Sequence, residues 1–296
     1  MSAITTATLK VPGASLYYEV AGSGQVLLMI PGAPADAGIF APIATALADR
    51  YTVVSYDWRG SSRSPTDEPP GDLPAGVPMQ LQADDAADLI AAVAERPAYV
   101  LGCSGGALVG LELVTRHPEL VDTLVAHEPP AMNLLPDAAA WRAAFQQVHE
   151  TYRRDGPGPA MMQFIATAVR TGGPTAVGEA GPPSQEQAPP MPDMSQMPPE
   201  MAEGMARMQA NSEFFLAYLL PATIGYLPDI APLRAASPRI AIGAGDASAG
   251  QMPHQAARAL AEKLSIAAVD FPGDHQGFAT HAGPFAEVVD KALPGS

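Results

Sequence analysis

Short apolar runs alternate with helical periodicities through the first 130 residues. Leu16–Val20 reads as a strand, followed by a Gly22-Ser23-Gly24 turn. Gln25–Ile30 (QVLLMI) is a continuous apolar strand that stops at Pro31-Gly32, and Tyr51–Tyr56 (YTVVSY) is a β-branched one. Phe40–Arg50 has helical spacing between them. Met79–Glu95 carries Leu81, Ala86, Leu89, Ile90 and Val93 at helical intervals, with Asp84, Asp85 and Asp88 between them. Tyr99–Leu101 is a strand, Ala107–His117 a helix closed by Pro118, and Val121–Ala126 the next strand. Continuously apolar strands separated by helices predict an α/β protein, a mostly parallel sheet covered on both faces. The pattern resumes after residue 235, with strands at Arg239–Ile242 and Ile266–Phe271 and helices at His254–Lys263 and Phe285–Leu293.

A different pattern separates these halves. Ala138–Tyr152, Pro159–Arg170 and Met201–Tyr218 have helical periodicity. The stretch 172–200 has none and holds eight of the 32 prolines. Proline removes backbone donors and favours extended chain, so this stretch is expected to be a mobile loop. The organisation expected is a core of residues 1–130 and 232–296, interrupted by an inserted segment, 131–231.

Composition narrows the partners. Of 296 residues, 47% are hydrophobic and 16% charged, enough for a sizeable core. The net charge of −15, with no basic run, makes nucleic acid and anionic membrane poor partners. One cysteine, Cys103, excludes an internal disulfide framework and a Cys-clustered metal site, and no cofactor or metal is implied. The start of the chain shows no signal peptide and no apolar run approaches bilayer length, so the expectation is a cytoplasmic protein. Arginine outnumbers lysine, which with the high Ala, Gly and Pro suggests a GC-rich bacterial coding bias.

The chemistry concentrates at strand ends. Gly102-Cys103-Ser104-Gly105-Gly106 fits G-x-S-x-G between a strand and a helix, so Ser104 is the candidate nucleophile. A serine hydroxyl needs a base. Of six histidines, His275 sits in a glycine-rich loop after the last strand, where loops line the crevice of a parallel sheet. His117, His127, His149, His254 and His281 read as surface or packing groups. The histidine needs an acid. Asp246, just past the Arg239–Ile242 strand, is favoured because Ser104, Asp246, His275 is the Ser…Asp…His order. Glu128 is the rival, and would otherwise be a pocket or hinge residue. An acyl transfer also needs oxyanion donors, expected from the N–H groups of Gly105 and Ala33.

These motifs resemble the α/β-hydrolase superfamily, core plus cap type. Pro31-Gly32-Ala33-Pro34 stands where the family has His-Gly-x-Pro, and Asp57-Trp58-Arg59-Gly60-Ser61-Ser62-Arg63-Ser64 resembles its D-x-R-G-x-G-x-S. Two departures stand out: Pro31 replaces a histidine that normally braces the oxyanion loop, and Ser62 replaces a glycine. Asp57 and Arg59 are structural by this resemblance, and Cys103 a buried, inert thiol. The resemblance implies a mainly helical cap over Ser104 at 131–231, with 172–200 as a mobile gate.

The function expected is a serine hydrolase cleaving a carboxylic ester, lactone or thioester of a fairly bulky, apolar small molecule. Eight of the 13 methionines lie between Met161 and Met208 of the inserted segment, suiting an adaptable apolar lid, although Met201, Met205 and Met208 also have the spacing of a packed helix face. Alternatives are a natural-product tailoring enzyme of secondary metabolism on the same site (methylesterase, lactone opening, cyclisation) or a non-catalytic ligand-binding relative.

Overall fold

The structure is a computed structural model that describes residues 4–68, 76–171, 173–174 and 199–294. The described residues form an eight-stranded sheet of order β1-β2-β4-β3-β5-β6-β7-β8. The strands are β1 (Thr5–Val11), β2 (Ala14–Gly22), β3 (Gln25–Ile30), β4 (Tyr51–Tyr56), β5 (Ala98–Cys103), β6 (Val121–His127), β7 (Arg239–Gly245) and β8 (Val269–Phe271). The pairs β1–β2 and β2–β4 are antiparallel; every pair from β4 to β8 is parallel. The mostly parallel sheet expected is therefore present, with an antiparallel hairpin added at one edge.

The continuous apolar strands are explained by burial on two faces. Alternate residues of β3 face opposite ways: Leu28 and Ile30 join one core layer with Val54, Val100 and Leu124. Leu27 and Met29 join the other, with Val53, Leu101 and Val125. Helices α2 (Met79–Val93), α3 (Gly105–Arg116) and α9 (Met252–Leu264) cover the first layer. Helices α1 (Ala41–Leu47), α10 (Gly277–Thr280) and α11 (Ala282–Ala292) cover the second. A fully buried Leu or Val side chain contributes roughly 1.5–3 kcal/mol, so two such layers are what hold the sheet between its helices.

Between β6 and β7 the described residues contain no strand, only helices: α4 (Ala138–Asp155), α5 (Pro157–Ala168), α6 (Pro199–Phe214), α7 (Leu220–Gly225) and α8 (Ile230–Ala235). A single π-helical turn, Phe215–Leu219, joins α6 to α7. An aromatic chain from Phe145 through Phe164 to Phe215 packs α4, α5 and that turn together, with ring centroids 5.7 and 4.9 Å apart. The two ends of the insertion are tied: Asn133 Nδ2 donates to Ile224 O at 2.9 Å and Tyr226 O at 2.7 Å. Tyr226 in turn donates to Glu112 Oε2 of α3 at 2.9 Å.

The expectation of a methionine face on α6 is corrected by its packing. Met208 is exposed and Met205 half-buried. The face that docks instead carries Arg207, Asn211 and Phe214; a Cβ on Gly60 would come within 2.1 Å of the Phe214 ring. Most of the proline-rich stretch, including Met191, Met194 and Met197, lies outside the described residues.

Candidate active site

The order of the sheet places a crevice between β3 and β5. The chain leaves β3 for β4 on one side and returns to β5 on the other, so loops at the carboxyl ends of β3 and β5 open apart there. Ser104 directly follows β5, at that crevice. Its backbone has φ 54° and ψ −123°, a region that costs a non-glycine residue about 1–3 kcal/mol. The turn is held from several sides. Ser104 N–H donates to His127 O at 2.9 Å, and Ala107 N–H donates to Ser104 O at 2.9 Å. The flanking glycines are demanded by contact: a Cβ on Gly102 would lie 2.4 Å from Gly106 O, and one on Gly106 would lie 2.1 Å from Ile30 O. Ser104 also precedes the first turn of α3, where the helix dipole favours a developing anion.

The loop after β3 runs beside the serine. A Cβ on Gly32 would stand 2.8 Å from Ser104 Cβ and 3.4 Å from its Oγ. The Gly105 and Ala33 backbones are neighbours: a Cβ on Gly105 would lie 3.9 Å from Ala33 N. Trp58 Nε1 donates to Pro31 O at 3.0 Å, bracing this loop from the Asp57–Ser64 segment. The rest of that segment is structural, as its resemblance implied. Arg59 Nε donates to the buried Asp85 Oδ2 at 2.6 Å, and Asp57 accepts from Ala37 N at 2.9 Å and Arg63 Nε at 2.7 Å.

His275 is half-buried, and its Nδ1 lies 2.6 Å from Glu128 Oε2. This corrects the sequence preference for Asp246. Asp246 is exposed, and its carboxylate accepts from Gly273 N at 2.8 Å, bracing the loop that carries His275 without meeting the imidazole. The reason is strand register. β7 ends at Gly245 and turns at once into a short 3₁₀ turn, Asp246–Ser248, which carries Asp246 to the surface. Glu128 continues the β6 pairing through Glu128 N–H to Gly243 O at 2.9 Å. Its φ of 46° then aims the side chain across the end of β7. There Oε1 accepts from Gly245 N at 2.9 Å and from Ser248 Oγ, leaving Oε2 for His275.

Electrostatics follow from this packing. Burial pushes the Glu128 carboxyl up, but the hydrogen bonds and charge of His275 and the Ser248 bond outweigh it and hold it down to about 2. An ionised Glu128 only accepts, so Nδ1 of His275 is the donor in this contact, and in the neutral imidazole that tautomer leaves the Nε2 lone pair free. Burial pushes the Cys103 thiol well up, in keeping with an inert packing residue. Among the described residues no group of three His, Cys, Asp or Glu side chains is arranged to hold a metal ion, and no helix is long and apolar enough to cross a membrane.

His127, directly before Glu128, is fully buried against Phe271 and Phe285, 5.3 and 5.0 Å between ring centroids. Neither ring nitrogen has a hydrogen-bond partner. Burial lowers its pKa to about 4, with Glu128 and Asp274 opposing and the nearby His275 reinforcing. A depressed histidine pKa destabilises the fold as pH falls through the unfolded value of 6.5, because only the unfolded chain takes up the proton. Between pH 7 and pH 5 this costs about 2 kcal/mol. Urea unfolding of His127→Leu is expected to show a correspondingly smaller loss over that interval than the natural chain. Equal losses in the two proteins would refute this role for His127.

Residues 25–211 match the family model for the alpha/beta hydrolase fold. The chain is 32% identical to the uncharacterised hydrolase YraK of Bacillus subtilis, over 98% of this chain and 96% of that one. Its structure resembles the enol-lactonase from Burkholderia xenovorans, with a TM-score of 0.70, 16% identity and coverage of 97% of this chain and 99% of that one. It also resembles a thermophilic esterase from Thermogutta terrifontis, with a TM-score of 0.68, 19% identity and coverage of 98% and 97%. A matched segment that spans β3 to α6, and a relative aligned along almost the whole chain, place this protein in the α/β-hydrolase family, as a hydrolase.

Proposed function

We propose that this hydrolase cleaves a carboxylic ester, lactone or thioester of a small, largely apolar molecule through an acyl-enzyme on Ser104. The observation that carries the reading is the 2.6 Å contact between His275 Nδ1 and a Glu128 carboxylate held ionised by its surroundings. It sets the imidazole tautomer that a serine needs as its base.

In the acylation step Ser104 Oγ bonds to the carbonyl carbon while its proton passes to His275 Nε2. The carbonyl oxygen takes up the negative charge, facing the N–H groups of Ala33 and Gly105. The tetrahedral centre collapses, the bond to the leaving group breaks, and His275 returns the proton to that group. Water then repeats the sequence, with His275 as base and Ser104 as leaving group. Glu128 stays ionised throughout, balancing the transient imidazolium. Asp246 serves the loop, not the proton transfer. The inserted helices, 131–231, act as a cap on a core of residues 1–130 and 232–296. The names of the lactonase and esterase relatives agree with this substrate class.

Stopped-flow hydrolysis of p-nitrophenyl butyrate tests the reading. A nitrophenol burst of one equivalent per active site, abolished by a fluorophosphonate, is the expected result. Undiminished turnover in Ser104→Ala would overturn it.

A further inference from the structure

The oxyanion loop is unusual in how it is held. Pro31 and Pro34 have no backbone N–H, so the loop can make few bonds to itself, and the one it makes is Ala35 N–H to Gly32 O at 2.9 Å. The side chain that usually braces it is replaced by Pro31. Its two outward carbonyls are instead gripped from elsewhere. Trp58 takes Pro31 O, and Asn211 Nδ2, from α6 of the inserted segment, donates to Pro34 O at 3.0 Å. Ala33 lies between these two anchors.

Asn211 is 3% exposed and divides its polar groups between Pro34 and Ser62. Its Oδ1 accepts from Ser62 N at 2.7 Å, and its Nδ2 also donates to Ser62 Oγ at 2.8 Å. The partners leave one orientation of the amide, since Ser62 N can only donate and Pro34 O can only accept. Ser62 has φ 47° and occupies the position where the resembling motif has glycine. Its hydroxyl, which glycine would lack, lies between Asn211 and Asp36 Oδ2, the latter at 3.3 Å. One turn earlier on α6, Arg207 Nε donates to Asp36 Oδ2 at 2.5 Å. Asparagine is a poor helix former, so a position in the last turn of α6 is not explained by helix propensity.

We propose that Asn211 is a positioning residue that holds the oxyanion loop through Pro34 O and Ser62, so that seating of α6 completes the Ala33 donor. This rests on the oxyanion role given to Ala33 above. Arg207 bonds Asp36 rather than Pro34 or Ser62, and Asn211 and the Phe214 ring on Gly60 keep the helix seated without it, so the loop is set by Asn211. The device makes catalytic competence depend on the inserted segment being in place, and would couple its opening to loss of transition-state binding while leaving ground-state binding nearly intact.

The test compares Asn211→Leu and Asn211→Asp with Arg207→Leu in the full chain. Asn211→Leu removes every polar contact, and Asn211→Asp keeps the acceptor for Ser62 N but loses the donor to Pro34 O. The readouts are kcat and KM for p-nitrophenyl butyrate, active sites counted with a fluorophosphonate, and Ki for an aryl trifluoromethyl ketone, which forms a tetrahedral oxyanion on serine. Both Asn211 variants are expected to lose at least tenfold in kcat per titrated site. KM should move less than threefold, and Ki should rise by the factor that kcat falls. Arg207→Leu should stay within threefold in kcat. The proposal is overturned if the Asn211 variants keep normal kcat and Ki per titrated site, or if Arg207→Leu matches them. If the ketone fails to inhibit the natural chain, the oxyanion reading itself falls and takes this inference with it.

Discussion

Ser104→Ala is expected to lower kcat for an activated ester by about a million-fold without unfolding the protein, since removal of an activated nucleophile leaves only binding and oxyanion contacts. The side chain is not needed for the turn, because the contacts at the elbow are made by backbone. Ser104 N–H to His127 O and the close approach of Gly102 and Gly106 survive the change. The strained φ of 54° survives too, since alanine has the same Cβ. Ser104→Gly separates the two effects. It should be equally inactive yet more stable, by about 1–2 kcal/mol in urea unfolding, because glycine enters this region freely. Activity retained by either variant would remove Ser104 from the chemistry. A Ser104→Gly protein no more stable than Ser104→Ala would mean that the elbow stores no strain.

Glu128→Gln is expected to lower kcat by about ten-thousand-fold, and Asp246→Asn by less than tenfold. Each side chain follows a strand that leads into the crevice, and the order of residues along the chain favours Asp246. Their surroundings are not alike. Glu128 is fully buried, and both its oxygens are occupied, one by Gly245 N and Ser248 and the other by His275. Glutamine fits the same space, but its amide nitrogen can face Nδ1, which forces the imidazole into the tautomer with its proton on Nε2. That tautomer cannot act as base toward Ser104. Asp246 is exposed and accepts only from Gly273 N. Asparagine keeps that acceptor, so the change should cost about 1 kcal/mol of loop stability or less. Equal losses in the two variants would place both carboxylates in the proton-transfer path.

Much of this architecture was legible in the chain. QVLLMI and YTVVSY fold with the boundaries their apolar runs suggest, because strands buried on both faces need no alternation. β1 was not legible: its TTATLKV is largely exposed at the sheet edge, and the Pro12-Gly13 turn joining it to β2 was the available signal. The last strand shrinks from Ile266–Phe271 to Val269–Phe271, as a strand with a single neighbour can. In the proposed site, Ser104 and His275 carry a local mark, glycine-rich turns after strands. The carboxylate that meets His275 carries none, because the choice between Glu128 and Asp246 depends on the register of β6 against β7 and on a 3₁₀ turn only three residues long. Ser248, which holds the carboxylate, and Asn211, bonded to a residue 149 positions away, carry no local signature at all.

The most direct test is the rate at which a fluorophosphonate labels the Ser104 peptide in the natural chain, Asp246→Asn and Glu128→Gln, read by peptide mass mapping. Rapid labelling confined to Ser104, unchanged within tenfold in Asp246→Asn and slowed at least a thousand-fold in Glu128→Gln, is the result a Ser104–His275–Glu128 site requires. Label on another residue, or Asp246→Asn slower than Glu128→Gln, would contradict it.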